Sequence, residues 1–218
     1  MKFFLDTANL EQITEGAKLG ILDGVTTNPS LMAKENIQGE EAINAHYLKI
    51  CEIVGEGDVS AEVLSLTTDE MIQEGQKLAA LHPNIVVKVP CTEDGIKAIK
   101  WFADNDIRTN CTLIFSIGQA LLAAKAGASF VSPFVGRLDD ISADGIQLVN
   151  DIVDVFETYA YQCQVLAASI RHTQHIVSCL AAGADVATCP LSAIKGLLSH
   201  PLTDQGLAIF ANDTKKLR

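Results

Sequence analysis

The chain has no run approaching the roughly 18 consecutive apolar residues of a membrane-spanning helix. Its opening, Met1-Lys2-Phe3-Phe4-Leu5-Asp6, reaches an aspartate after three apolar residues, too few for the apolar core of a secretory signal. Positive charge is scarce as well: 16 Lys and Arg against 27 Asp and Glu give a formal net charge of −11. Nucleic acids and anionic membranes are bound through a basic footprint, so neither is expected as a partner. An anionic ligand must instead be held by local positive groups. The six cysteines, Cys51, Cys91, Cys111, Cys163, Cys179 and Cys189, have no Cys-x-x-Cys spacing, and several lie in apolar segments. A free thiol packs there as a small hydrophobe, so reduced cysteines and a cytoplasmic location are expected. Linkers, low-complexity segments and charge blocks are also missing. What remains is a chain of 218 residues, 48% of them hydrophobic, long enough to bury a core without disulfides or a structural metal. A single domain over 1–218 is the expectation.

Short apolar runs at 3–6, 24–26, 59–64, 85–89, 108–114, 130–135, 165–168 and 185–188 alternate with helical patterns near 9–19, 40–54, 68–81, 92–105, 117–126, 143–160, 172–182 and 191–198. Eight strands, each followed by a helix, predict an α/β fold of the (β/α)8 TIM-barrel type, with an extra C-terminal helix near 203–216 beyond strand 8. A doubly wound open sheet shares the alternation but advertises a glycine-rich loop after its first strand; here that position reads Asp6-Thr7-Ala8-Asn9.

In Ile85-Val86-Val87-Lys88-Val89-Pro90 a lysine interrupts a β-branched run typical of a strand buried on both faces. An ammonium is costly to bury. Such a lysine is either paired or gives up its proton and becomes an amine nucleophile able to form a Schiff base with a carbonyl. Barrel chemistry gathers at the C-terminal ends of strands. Polar residues fall there repeatedly: Asp6, Thr26-Thr27-Asn28, Glu62, Lys88, Asn110 and Thr112, Ser132 and Arg137, Ser169 and Arg171. Arg137, Ser169 and Arg171 suit a phosphate dianion near the last strands.

Each has a plainer reading. Asp6 can cap the helix near Asn9, and Asn28 before Pro29 can be an N-cap with proline at N1. Glu62 can be a core carboxylate, Arg137 a solvated residue beside Asp139 and Asp140, and Lys88 a structural ion-pair partner of Asp6 or Glu62. Carboxylates close to Lys88 oppose loss of its proton. They are therefore expected either a water's length away or sharing that proton. His172 and His175 are three apart and can ligate a metal, but no third ligand stands at recognisable spacing. Trp101 and Phe102 are expected to pack in the outer layer.

Asp6-Thr7-Ala8-Asn9, Gly24-Val25-Thr26-Thr27-Asn28-Pro29-Ser30, Val87-Lys88-Val89-Pro90, Asn110-Cys111-Thr112-Leu113-Ile114-Phe115-Ser116, Ser132-Pro133-Phe134-Val135-Gly136-Arg137 and Ala167-Ala168-Ser169-Ile170-Arg171 resemble the transaldolases, in particular their small single-barrel bacterial subfamily. The resemblance implies a class I, metal-free and cofactor-free transfer of a dihydroxyacetone unit. The donor would be sedoheptulose 7-phosphate or fructose 6-phosphate and the acceptor glyceraldehyde 3-phosphate or erythrose 4-phosphate, as in the pentose phosphate pathway. It gives Lys88 the role of Schiff-base nucleophile and Asp6 that of acid/base, and has Glu62 with Thr112 position a catalytic water. Thr27, Asn28, Asn110, Ser132 and Phe134 would bind the dihydroxyacetone portion, and Arg137, Ser169 and Arg171 the phosphate.

The same subfamily includes fructose-6-phosphate aldolases, which release free dihydroxyacetone and carry glutamine and tyrosine where this chain has Glu62 and Phe134. The resemblance also implies a homo-oligomer, a pentamer or decamer with the C-terminal helix packed on a neighbour. Two remoter alternatives are a metal-dependent aldolase using His172 and His175 and a non-catalytic phosphate-binding barrel.

Overall fold

The computed structural model describes residues 1–216. Eight parallel strands close into a barrel in chain order: β1 (Lys2–Asp6), β2 (Gly24–Thr26), β3 (Asp58–Glu62), β4 (Ile85–Pro90), β5 (Thr109–Ile114), β6 (Phe130–Pro133), β7 (Gln164–Ala167) and β8 (Val186–Cys189). The helices are α1 (Leu10–Lys18), α2 (Pro29–Lys34), α3 (Glu40–Val54), α4 (Thr68–Ala79), α5 (Glu93–Asp104), α6 (Ile117–Ala126), α7 (Val135–Asp139), α8 (Gly145–Thr158), α9 (Thr173–Ala181), α10 (Leu191–Gly196) and α11 (Pro201–Lys216). This is the expected (β/α)8 barrel with its extra C-terminal helix. The expected domain ran to 218, and positions 217 and 218 lie outside the described residues. Among the described residues no helix is long and apolar enough to cross a membrane.

Alternation along the strands divides the barrel interior into two tiers. Phe4, Val86, Phe130, Leu166 and Val186 plug its N-terminal half. Two residues further along the same strands stand Asp6, Lys88, Ser132, Ala168 and Thr188, which line the C-terminal mouth. The intervening residues, Val87 and Val89 on either side of Lys88 and Val131 beside Ser132, face outward into the layer under the helices. Lys88 is therefore surrounded by apolar sequence because both faces of its strand are covered.

The helices follow from capping and patterning. In α5, the Thr92 hydroxyl accepts the Gly95 N–H at 3.0 Å, Glu93 and Asp94 occupy the first turn, and Gly95, Ala98, Ile99 and Phe102 form the buried face. Trp101 packs edge-on against Phe102, with ring centroids 5.6 Å apart, in the expected outer layer.

Two short helices, α2 and α7, follow β2 and β6 where no separate helix was expected. At six and five residues they are too short to display a 3.6-residue period. Strand β5 carries an irregularity that no pattern announces. Its register against β6 shifts between Cys111 and Ile114, and Leu113 sits at φ 59°. A bulge of this kind next to a barrel mouth re-aims the side chains around it.

Candidate active site

The Lys88 side chain is 6% exposed, and its Nζ makes two contacts. It lies 3.0 Å from Glu62 Oε2 on the neighbouring strand and donates to the Thr27 carbonyl at 3.0 Å. Glu62 and Lys88 are register partners, so the strand pairing itself sets the carboxylate beside the amine. The Glu62 contact is ionic and not an aligned hydrogen bond, because Oε2 is buried without a hydrogen-bond partner. Thr112 Oγ1 is likewise buried and unpartnered. The expectation that carboxylates stand a water's length away or share a proton with Lys88 thus resolves unevenly. Glu62 touches the amine directly, whereas Asp6 meets it across the mouth, and among the described residues Glu62 is the ion-pair partner of Lys88.

Asp6 does not cap the first helix. Asn9 does, accepting the Gln12 N–H, which removes that plainer reading. The Asp6 carboxylate instead accepts from Thr26 Oγ1 at 2.9 Å. Burial pushes the carboxyl above its ordinary acidity range, opposed by the Lys88 charge and the Thr26 hydroxyl. Asn28 is the N-cap its position before Pro29 suggests: Oδ1 accepts the Leu31 N–H at 2.9 Å, leaving the amide nitrogen for the cavity it lines.

A cavity of about 120 Å³ opens at the barrel mouth. Asp6, Asn28, Lys88, Thr112, Ser132, Phe134, Arg137 and Ser169 all line it, eight of the twelve residues to which the resemblance gives a role, together with Thr26. Asn110 lies beneath as a buried link: Ser132 Oγ donates to its Oδ1 at 2.7 Å, and its Nδ2 donates to Ser60 Oγ at 3.1 Å. The Thr27 hydroxyl is turned away from the mouth. It donates to the Ser60 carbonyl at 3.0 Å and meets the Tyr47 hydroxyl at 3.0 Å, so Thr27 reaches the site through its backbone. Tyr47 is buried on α3, and burial pushes its phenol up to about 12.

At the rim, Arg137 stands on α7 with its guanidinium 5.3 Å from the centre of the Phe134 ring. Ser169, at φ 57°, follows β7 in a conformation that L-residues seldom adopt. Gly136 allows α7 to approach it. A Cβ there would collide with the Ser169 carbonyl and meet Arg171 Nε at 2.6 Å, and the bare backbone instead donates Gly136 N–H to the Ser169 carbonyl at 3.1 Å. Arg171 stands outside the cavity, held in a two-pronged ion pair by Asp140. His172 caps α9, and His175 contacts Asp139 at 3.1 Å.

A larger cavity of about 700 Å³, walled by Met32, Ile43, Tyr47, Leu64 and Leu78 from α2, α3, α4 and the loop after β3, reaches the charged centre at Glu62. Sequence reasoning missed Thr188, which lines the mouth from β8, Ser60 and Tyr47, which hold site residues, and the hold of Asp140, named only as a neighbour of Arg137, on Arg171. Thr188 closes the last apolar run and was reachable by the strand-end rule. The other three act through tertiary contacts that leave no local signal.

A closed parallel barrel that gathers a buried lysine, two carboxylates and an amide–hydroxyl network at its C-terminal mouth has the layout of a barrel enzyme. A family described as transaldolase/fructose-6-phosphate aldolase matches residues 3–218, and the chain belongs to that family. It is accordingly an enzyme of the transferase class. Proteins named probable transaldolase are 71% identical in Parabacteroides distasonis and 70% in Porphyromonas gingivalis, covering 100% of this chain and 99% and 98% of theirs. One from Cytophaga hutchinsonii is 62% identical over 100% of this chain and 99% of its own. A solved structure of a monomeric dihydrodipicolinate synthase variant superposes with a TM-score of 0.64 at 12% identity, over 88% of this chain and 70% of that one, a likeness of fold alone.

Proposed function

We propose that the chain is a transaldolase that moves a dihydroxyacetone unit from sedoheptulose 7-phosphate or fructose 6-phosphate to glyceraldehyde 3-phosphate or erythrose 4-phosphate, through a Schiff base on Lys88, as a cytoplasmic step of the pentose phosphate pathway. The observation that carries this is Lys88 itself, a buried amine at the end of a barrel strand. It is held by Glu62 and the Thr27 carbonyl and faces a cavity that also holds Asp6. A Schiff base needs the neutral amine. The Glu62 carboxylate in contact with Nζ is the group to receive its proton as the ketose carbonyl arrives. Asp6 then accepts the proton of the hydroxyl whose carbon–carbon bond breaks, and returns it when the acceptor aldehyde adds.

Two buried oxygens without protein partners, Glu62 Oε2 and Thr112 Oγ1, support the reading that these residues position the water lost and regained at the imine. Asn28 and Ser132, backed by Asn110, would hold the dihydroxyacetone hydroxyls with Phe134 as an apolar wall and Thr27 contributing through its backbone. Arg137, Ser169 and Arg171 would hold the phosphate. The six free cysteines fit a reducing cytoplasm. The homo-oligomer, pentameric or decameric, belongs to the same proposal, supported by α11, which buries none of its own residues and exposes Leu202, Leu207, Ile209 and Phe210.

Borohydride reduction with fructose 6-phosphate, followed by mass mapping, tests the reading: a reduced ketose-derived adduct on Lys88 is expected, and its absence overturns the mechanism. Comparing transfer to erythrose 4-phosphate with release of free dihydroxyacetone separates transferase from aldolase. Rapid release without acceptor would assign the aldolase activity instead.

A further inference from the structure

Thr188 has no part in the reading above, yet it is 2% exposed and lines the reaction cavity. Its Oγ1 lies 2.6 Å from Thr26 Oγ1, and Thr26 Oγ1 donates to Asp6 Oδ1 at 2.9 Å. β1 pairs with β2 on one side and β8 on the other, so the two threonines reach the Asp6 strand end from both flanks. A hydroxyl has one proton to donate. While Asp6 is ionised it can only accept, which commits the Thr26 proton to Asp6. The proton in the 2.6 Å contact must then come from Thr188. The relay has a single polarity, Thr188 to Thr26 to Asp6, and a hydroxyl that accepts while it donates is the stronger donor.

We propose that Thr188 is a positioning residue for the reaction, fixing through Thr26 the orientation and proton affinity of the Asp6 carboxylate. This rests on the assignment of Asp6 as acid/base. The titratable groups whose charge acts on Asp6 or is acted on by it are Lys88 on β4, Lys34 on α2 and, behind the barrel wall, Cys189 on β8. Glu62 acts through Lys88, and Arg137 stands across the cavity. None of these depends on the Thr188 hydroxyl, so its removal isolates the relay.

The test is the burst of aldose phosphate released when enzyme meets ketose phosphate without acceptor, followed against pH. Cleavage needs Asp6 as carboxylate, so the burst fails as pH falls through its pKa. In Thr188→Val the acid limb is expected to move up by about half to one pH unit, the effect of weakening one hydrogen bond to the charged form. Thr188→Ala, which removes the hydroxyl without filling its place, is expected to move the limb the same way, and Thr188→Ser to keep it at the wild-type position. A limb unmoved in whichever of Thr188→Val and Thr188→Ala folds overturns the proposal. Asp6→Asn separates the two levels. If it keeps the wild-type burst and limb, the acid/base assignment falls and the relay with it. If it loses the burst while borohydride still traps the ketose on Lys88, the assignment stands and an unmoved limb counts against the relay alone.

Discussion

Glu62 and Lys88 are register partners on β3 and β4, with their charged ends 3.0 Å apart inside the barrel mouth. The ion pair and the proposed nucleophile, rival readings of Lys88 from sequence, are compatible in this arrangement, because the carboxylate that pairs with the ammonium also stands where it can take its proton. Lys88→Met is expected to lower turnover by about four orders of magnitude or more, as loss of a covalent nucleophile does. It also leaves Glu62 without its counter-charge. Losing one partner of a fully buried pair costs about 3–5 kcal/mol, and since the Glu62 side chain is 15% exposed a smaller loss, about 1–3 kcal/mol, is expected. Urea unfolding of Lys88→Met, Glu62→Gln and the double variant checks this. The double variant should recover part of the stability and none of the activity.

Asp6 carries the opposite trade. Burial raises its carboxyl pKa in the folded state, so keeping Asp6 as the carboxylate at neutral pH costs the folded protein stability relative to the unfolded chain. The sign follows. Asp6 contributes most to stability below the unfolded carboxyl pKa, near 4, and that contribution is lost as pH rises through the raised folded value. Asp6→Asn, which keeps an oxygen for the Thr26 hydroxyl, is expected to stabilise the fold at pH 7. It should match wild type below about pH 4 and lose about 10²–10⁴ in turnover. Thermal unfolding across pH reads the first two effects. Equal melting of the two proteins at neutral pH would refute the sign.

How far the sequence reaches is visible residue by residue. Lys88 was legible because a charge inside Ile85–Pro90 violates the patterning of a strand covered on both faces. Asp6 and Ser132 were legible because they follow Phe4 and Phe130 by two residues, where the interior turns from apolar plug to polar mouth. Thr188 obeys the same rule but is an ordinary strand residue by type, so nothing set it apart. The direction of the Thr27 hydroxyl toward Tyr47 depends on α3 packing, and the capture of Arg171 by Asp140 on a contact between segments 31 residues apart. Local pattern carries neither. The bulge at Leu113 has no glycine to mark it.

The Ser132–Asn110–Ser60 chain fixes the Asn110 amide, its oxygen toward the cavity side and its nitrogen below. Ser132→Ala and Ser60→Ala each leave one end of a buried amide unsatisfied, at about 1–2 kcal/mol of unfolding free energy. They should differ in kinetics. Ser132 lines the cavity and Ser60 does not, so Ser132→Ala is expected to raise KM for the ketose phosphate several-fold more than Ser60→Ala does. Equal KM changes would make Ser132 a purely structural member of the chain.

On α11 the side chains of Leu202, Leu207, Ile209 and Phe210 are between 52% and 69% exposed, an apolar surface left uncovered by the described residues. If a neighbouring subunit covers it, Leu207→Asp combined with Phe210→Asp should shift the sedimentation coefficient to that of a smaller species. The far-ultraviolet circular dichroism should hardly change, because α11 buries no residue. An unchanged sedimentation profile would remove α11 from the interface.

Of the two arginines proposed to hold the phosphate, Arg137 lines the cavity, while Arg171 is tied to Asp140 at an exposed position. A charge-assisted contact to phosphate contributes about 1.5–3 kcal/mol, so Arg137→Ala is expected to raise KM for fructose 6-phosphate by roughly 10- to 100-fold. Unphosphorylated fructose should be unaffected. Asp140→Asn releases Arg171 from a solvent-exposed pair that contributes little to stability. It removes a negative charge from the rim and should lower KM for the phosphorylated donor a few-fold, an effect that shrinks as salt is raised because the competing charges are solvent-exposed. If Asp140→Asn leaves KM unchanged at low salt while Arg171→Ala raises it, Arg171 already reaches the phosphate without leaving Asp140. If neither variant changes KM, the phosphate is held by Arg137 and Ser169 alone.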